Sequence, residues 1–88
     1  MTPEAAVAKK IKVSDARASL GVTQKQLAER AGLVRKVVYK AERGLFVSRL
    51  SAHAILRALN VERSRQNLQP LGMEDLDIKI QGDSESEE

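Results

Sequence analysis

The chain reads as a small all-α bundle of about five helices, and three observations carry that reading. It has 88 residues, enough for one domain that buries only about 60% of its unfolded surface. It is 42% hydrophobic yet has one Tyr, one Phe and no Trp, so Leu, Ile, Val and Ala must build the core. That mixture favours packed helices over a sheet, which draws on β-branched and aromatic residues. Apolar residues also recur at helical spacing, between glycines placed as terminators.

Thr2 and Pro3 form a cap and first-turn pair, and helical pattern then runs to Leu20, where Gly21 stops it. Ser14 and Asp15 interrupt that stretch and separate a short arm from the first core helix, whose inward stripe is Val13, Ala16 and Leu20. Thr23 caps the next helix, with Gln26 completing a capping box. Leu27, Ala28 and Ala31 give it one apolar face, and Gly32 ends it. Val34, Val38 and Ala41 set a second short period that stops at Gly44, so the pair predicts a helix-turn-helix unit over residues 23–43. A longer helix is expected from Ser48 to about Asn67, covering the others with Leu50, Ala54, Ile55, Ala58 and Leu59, before Pro70 and Gly72.

Beyond them Leu76, Ile78 and Ile80 alternate with Asp77 and Lys79, the period of a short half-buried strand. In an all-helical monomer such a strand has no obvious mate, so it is expected to pair with a second copy or a partner protein. The organisation expected is residues 1–67 as the helical domain, 68–80 as an extension for dimerisation, and 81–88 as a disordered acidic tail.

Charge divides along the same lines. Up to Met73 there are 14 Lys and Arg against 5 Asp and Glu, a net of +9; from Glu74 onward there is 1 against 7, a net of −6. A basic body of this size suits a polyanionic partner, while a solvated cationic surface is the alternative. No run of about 18 apolar residues is present, so no membrane span is expected. There is no cysteine, and His53, the single histidine, reads as a packing residue, so no metal site and no cofactor are expected. No nucleophile-base pair or paired carboxylates stand out, and the reading is that the chain is not an enzyme.

Residues 22–44, VTQKQLAERAGLVRKVVYKAERG, carry the function. Thr-Gln at the first cap, Leu-Ala within the helix, Gly in the turn and Glu-Arg-Gly at the end occur together. The segment resembles the phage-repressor, Cro and XRE group of helix-turn-helix DNA-binding domains, over roughly Val13 to Leu59. The resemblance implies a compact lambda-repressor-like bundle that binds double-stranded DNA, with residues 34–43 as the recognition helix in the major groove. With Val34, Val38 and Ala41 inward, Arg35, Lys36, Tyr39, Lys40 and Arg43 project outward. By resemblance Arg35, Lys36, Tyr39 and Lys40 read bases, and Thr23, Gln24, Arg43 and Arg49 meet the backbone, with Gln24 also bracing the recognition helix. Arg and Lys pair best with guanine N7 and O6, so a half-site containing G is expected. Val37 stands where the family usually has a small polar residue; it either touches a thymine methyl or packs under the following loop. Val34 replaces the usual hydroxyl cap. Arg17 and Glu42 are implied as a partly buried bridge, and Phe46 is expected in the core.

The function expected is sequence-specific transcriptional regulation, as a repressor, by a homodimer on half-sites about 34 Å apart. Leu76, Ile78 and Ile80 are the dimer candidates. The second reading is an antitoxin or adaptor whose C-terminal strand and tail bind a toxin or other protein, with DNA binding kept for autoregulation. The resemblance implies a cytoplasmic, nucleoid-associated location in a bacterium, phage or mobile element.

Overall fold

The computed structural model describes residues 10–81, so the expected helix start at Thr2 and Pro3 and residues 82–88 of the acidic tail lie outside the described residues. The order of elements is β1 (Ile11–Lys12), α1 (Val13–Ser19), α2 (Gln24–Ala31), α3 (Arg35–Glu42), α4 (Arg49–Arg65), a 3-10 turn (Met73–Asp75) and β2 (Leu76–Asp77). Among the described residues there are four α-helices, one fewer than the number expected for the whole chain. None is long and apolar enough to cross a membrane.

Local chemistry sets the boundaries. Thr23 accepts from the Gln26 backbone at 3.0 Å, and the Gln26 side chain accepts in return from the Thr23 backbone at 3.0 Å, which closes the capping box at α2. Gly32 ends that helix at φ 72°, a left-handed conformation that glycine adopts without Cβ strain. Ser48 caps α4, accepting from the Ser51 backbone. That helix stops short of Pro70 because Asn67 takes φ 63°, one of the few side chains that tolerates this region. Val34, at the N-cap of α3, makes no side-chain cap bond, so the first turn there lacks a partner that Ser or Thr would supply.

One core joins all four helices: Val13 and Ala16 from α1, Leu27 and Ala28 from α2, Val38 and Ala41 from α3, and Ala52, Ile55, Ala58 and Leu59 from α4. The alanines let the backbones approach where helices cross, and Leu27, Ile55 and Leu59 fill the space between. A link outside the core fastens α4 to α2, with Arg30 donating to Glu62 at 2.6 Å. Beside it Gln66 donates to Glu62 at 2.9 Å and to the Leu20 carbonyl at 3.0 Å.

Three expectations about burial are corrected. Val34 is 66% exposed, because its extended backbone places it before the helix and outside the helical period. Leu50 is 82% exposed, since it lies across the helix from the stripe of Ala52, Ile55 and Leu59. Phe46 is 58% exposed: the inward position of its loop belongs to Val47, and neighbouring residues in extended chain face opposite ways.

The strand also differs. It finds its mates within the chain, in two short segments that carry no strand pattern of their own. β2 runs parallel to β1, with Ile11 opposite Leu76 and Lys12 opposite Asp77. Further on, Ile80 bridges to Val47, with Val47 N–H donating to the Lys79 carbonyl at 3.0 Å and Gln81 N–H to the Val47 carbonyl at 2.7 Å. Leu76 is 1% exposed and belongs to the main core, while Ile78 and Ile80 pack at its edge. The need for a second chain therefore falls away, because the extended residues flanking α1 and α3 supply the missing backbone groups.

Replacing Leu76 with Ala is expected to cost about 2–4 kcal/mol in denaturant unfolding, the range for a buried leucine, whereas Leu68→Ala on the surface should stay within about 0.5 kcal/mol. The Gln66 amide and the Arg30 guanidinium hold the Glu62 carboxyl below its ordinary value of 4.5. A carboxylate favoured in this way stabilises the fold above its unfolded pKa, and the contribution disappears as pH falls through the folded value. Thermal melts across the acid range should accordingly show a shallower acid decline for Glu62→Gln, with no change in the pH dependence near neutrality.

Candidate nucleic-acid interface

The candidate interface is the outward side of α3, and a single carboxylate holds that helix. Glu42, at its last position, has a side chain only 7% exposed. Arg17 of α1 donates to it through Nε at 2.5 Å and Nη2 at 3.2 Å, a two-pronged contact that matches guanidinium to carboxylate. Gln24 of α2 donates its amide to Glu42 Oε1 at 2.8 Å. The remaining Arg17 nitrogen, Nη1, donates to the Val22 carbonyl at 3.0 Å in the loop between α1 and α2. Three helices thus meet at one side chain, with Arg17 tying in the loop, and both carboxylate oxygens have donors.

With Val38 and Ala41 buried, Val37 at the core's edge and Glu42 turned inward, the remaining side chains of α3 face outward. Arg35, Lys36, Tyr39 and Lys40 are exposed along it, and Arg43 follows at its C-cap. Tyr39 and Arg43 form a unit, Arg43 Nη1 donating to the Tyr39 hydroxyl at 2.9 Å with its guanidinium carbon 5.5 Å from the ring centre. The arginine is therefore held over the aromatic face rather than left to swing. Val37 is half-buried and packs against the core.

The flanks carry the remaining candidates. Thr23 is exposed and bonded in its capping box. Gln24 is half-buried with its amide turned to Glu42, so the group nominated for a phosphate is engaged inside the protein. Arg49 opens α4 on the exposed side. His53 is exposed, and among the described residues no cluster of His, Cys, Asp or Glu could hold a metal ion. Leu76 lies in the core, and Ile78 and Ile80 pack against it.

The bracing role expected of Gln24 is matched by its bond to Glu42, while sequence reasoning missed the Arg17 contact to Val22, the link of Gln66 to Leu20, and the pairing of Tyr39 with Arg43. Only the last has a signal in the sequence, the i, i+4 spacing on a helix. The others depend on which loops the packing brings together.

Removing one member of the bridge should expose its importance. Arg17→Met leaves Glu42 buried without its main partner and is expected to cost about 1–3 kcal/mol, since the arginine is itself partly exposed. The double variant Arg17→Met, Glu42→Met should recover most of that loss in the same denaturant titration, which would separate a charge left unanswered from a simple loss of packing.

Comparison with known proteins agrees with this architecture. A family described as "Helix-turn-helix" matches residues 13–65, more than half of the chain. An "Uncharacterized HTH-type transcriptional regulator" of Methanothermobacter thermautotrophicus is 41% identical over 51 residues, spanning 57% of this chain and 74% of that protein. No solved structure matches. The matched stretch runs from the first residue of α1 to the last of α4, and the chain belongs to the helix-turn-helix family.

Proposed function

We propose that this protein is a sequence-specific DNA-binding transcriptional regulator that works as a repressor, with α3 in the major groove. The observation that carries the reading is the outward face of α3, where four cations and one tyrosine stand on a helix anchored at its end by the Glu42 contacts. A helix presented in this way fits a groove about 12 Å wide, and cations along it suit both phosphate oxygens and guanine edges. Regulation of transcription is supported by the helix-turn-helix match and by the name of the similar Methanothermobacter thermautotrophicus protein.

Roles follow from position. Arg35, Lys36 and Lys40 read base edges, with Tyr39 beside them carrying Arg43 toward the adjacent phosphate. Thr23 and Arg49 meet the backbone from either flank. Gln24 acts by bracing α3 through Glu42. Because one short helix reads few bases, two copies on neighbouring half-sites give the affinity a repressor needs. Leu50 and Val61 are large exposed apolar residues of α4 available to that second copy, while the strand is already committed within the monomer.

A selection of bound duplexes from random DNA, followed by salt-series titrations, tests this reading. On the selected site Lys40→Ala or Arg35→Ala should lose about 5- to 150-fold in affinity and relax preference at one base position. Failure to enrich any sequence, or an equal loss on every duplex, would remove base reading from the proposal.

A further inference from the structure

We propose that residues 82–88 of this chain occupy the cationic face of α3 in the absence of DNA and compete with DNA for it. The inference rests on the reading of α3 as a DNA-binding surface. It starts from where the C-terminal strand delivers the chain. The pairing with β1 at Leu76 and Asp77 and with Val47 at Ile80 fixes the strand's course, and the Gln81 N–H bond to Val47 fixes its last described residue. Gln81 lies beside the recognition helix: Lys40, Leu45, Phe46 and Gln81 line one shallow depression. The last described residue of the chain therefore lies beside Lys40.

Charge and reach then select the occupant. Residues 82–88 read GDSESEE and carry four carboxylates, Asp83, Glu85, Glu87 and Glu88, with no cation and no apolar side chain. Arg35, Lys36, Lys40 and Arg43 are exposed on and beside α3. The only carboxylate of that helix, Glu42, is turned inward to Arg17 and Gln24 and so does not mask them. Lys79 adds a further positive charge at the exit, with its amine 5.8 Å from the centre of the Phe46 ring. Seven extended residues span up to about 23–25 Å, while a helix of eight residues is about 12 Å long. The acidic segment can thus reach every cation on the face from its point of exit.

The physical consequence is a filter. A duplex that offers only phosphates must displace carboxylates that already answer the same cations, so non-specific binding weakens most. A site that also satisfies base contacts retains those contacts in addition. The competition is electrostatic and fades as salt screens both interactions.

The test compares the full chain with a variant carrying Asp83→Asn, Glu85→Gln, Glu87→Gln and Glu88→Gln, which changes none of the described residues. Anisotropy titrations with mixed-sequence duplex DNA should show the variant binding about three- to tenfold more tightly at about 50 mM salt, with the difference gone at about 300 mM. Amide spectra of the two proteins without DNA should differ at Lys36 to Val47, equally at low and high protein concentration. Identical affinities together with identical spectra would overturn the proposal. Spectral differences that grow with protein concentration would also overturn it, because the segment would then act on a second copy. If the spectra differ but neither protein binds DNA, the contact with α3 stands and the DNA-binding reading falls.

Discussion

Glu42 is the point on which the rest of the arrangement depends. Its carboxylate closes α3, receives the guanidinium of α1 and the amide of α2, and through Arg17 reaches the loop between those two helices. An apolar core of alanines and branched aliphatics brings helices together but leaves rotation and sliding cheap, since one methyl fits nearly as well as another. A charge that is almost fully buried does not tolerate such movement, because any displacement leaves it unanswered. The orientation of the helix that bears the exposed cations is thus set by a directional contact rather than by packing alone. Gln24, a residue that could have faced outward, is part of that cost of orientation.

The surface built on this support is unevenly prepared. Arg43 is held on the Tyr39 ring and hydroxyl, whereas Arg35 and Lys36 sit in a first turn that no side chain caps. One end of α3 is therefore ordered by its own side chains and by Glu42, and the other end is held mainly by Leu33 and Val37 against the core. A ligand that approaches the N-terminal end of the helix meets unpaired backbone N–H groups there, the kind of donors that phosphate oxygens satisfy.

Much of this was legible in the sequence, for identifiable reasons. Thr23 with Gln26, Gly32, and the buried series Val38 and Ala41 are local features, and local chemistry decides them. The outward residues of α3 followed from that period. What could not be read were partners distant in sequence. A strand pattern at Leu76 to Ile80 says that a backbone neighbour is needed, and it does not say that Ile11, Lys12 and Val47 provide one. Those three residues sit in short extended connections with no alternation to advertise them. Phe46 and Leu50 were misplaced for a related reason, since hydrophobicity was taken as burial at positions where geometry gives the inward place to Val47 and Ala52. The resemblance implies both the carboxylate bridge and a bracing role for Gln24, but not that Gln24 braces α3 through the same carboxylate.

The parallel strand pair also has a bearing on the order in which the molecule assembles. Joining Ile11 to Leu76 directly, from an unfolded chain, closes a loop of about 65 residues. Once the helices have packed, α4 already ends near its final place, and only the residues between it and Leu76, numbers 66–75, remain to be closed. The logarithmic dependence of closure entropy on length makes the second route cheaper by roughly 1.5 kcal/mol. The strand is then the last piece to arrive, laid across a bundle that must already exist to receive it. Its presence reports that the start of α1 and the loop after α3 have reached their proper separation, and it makes the finished state of one end of the molecule a condition for the other.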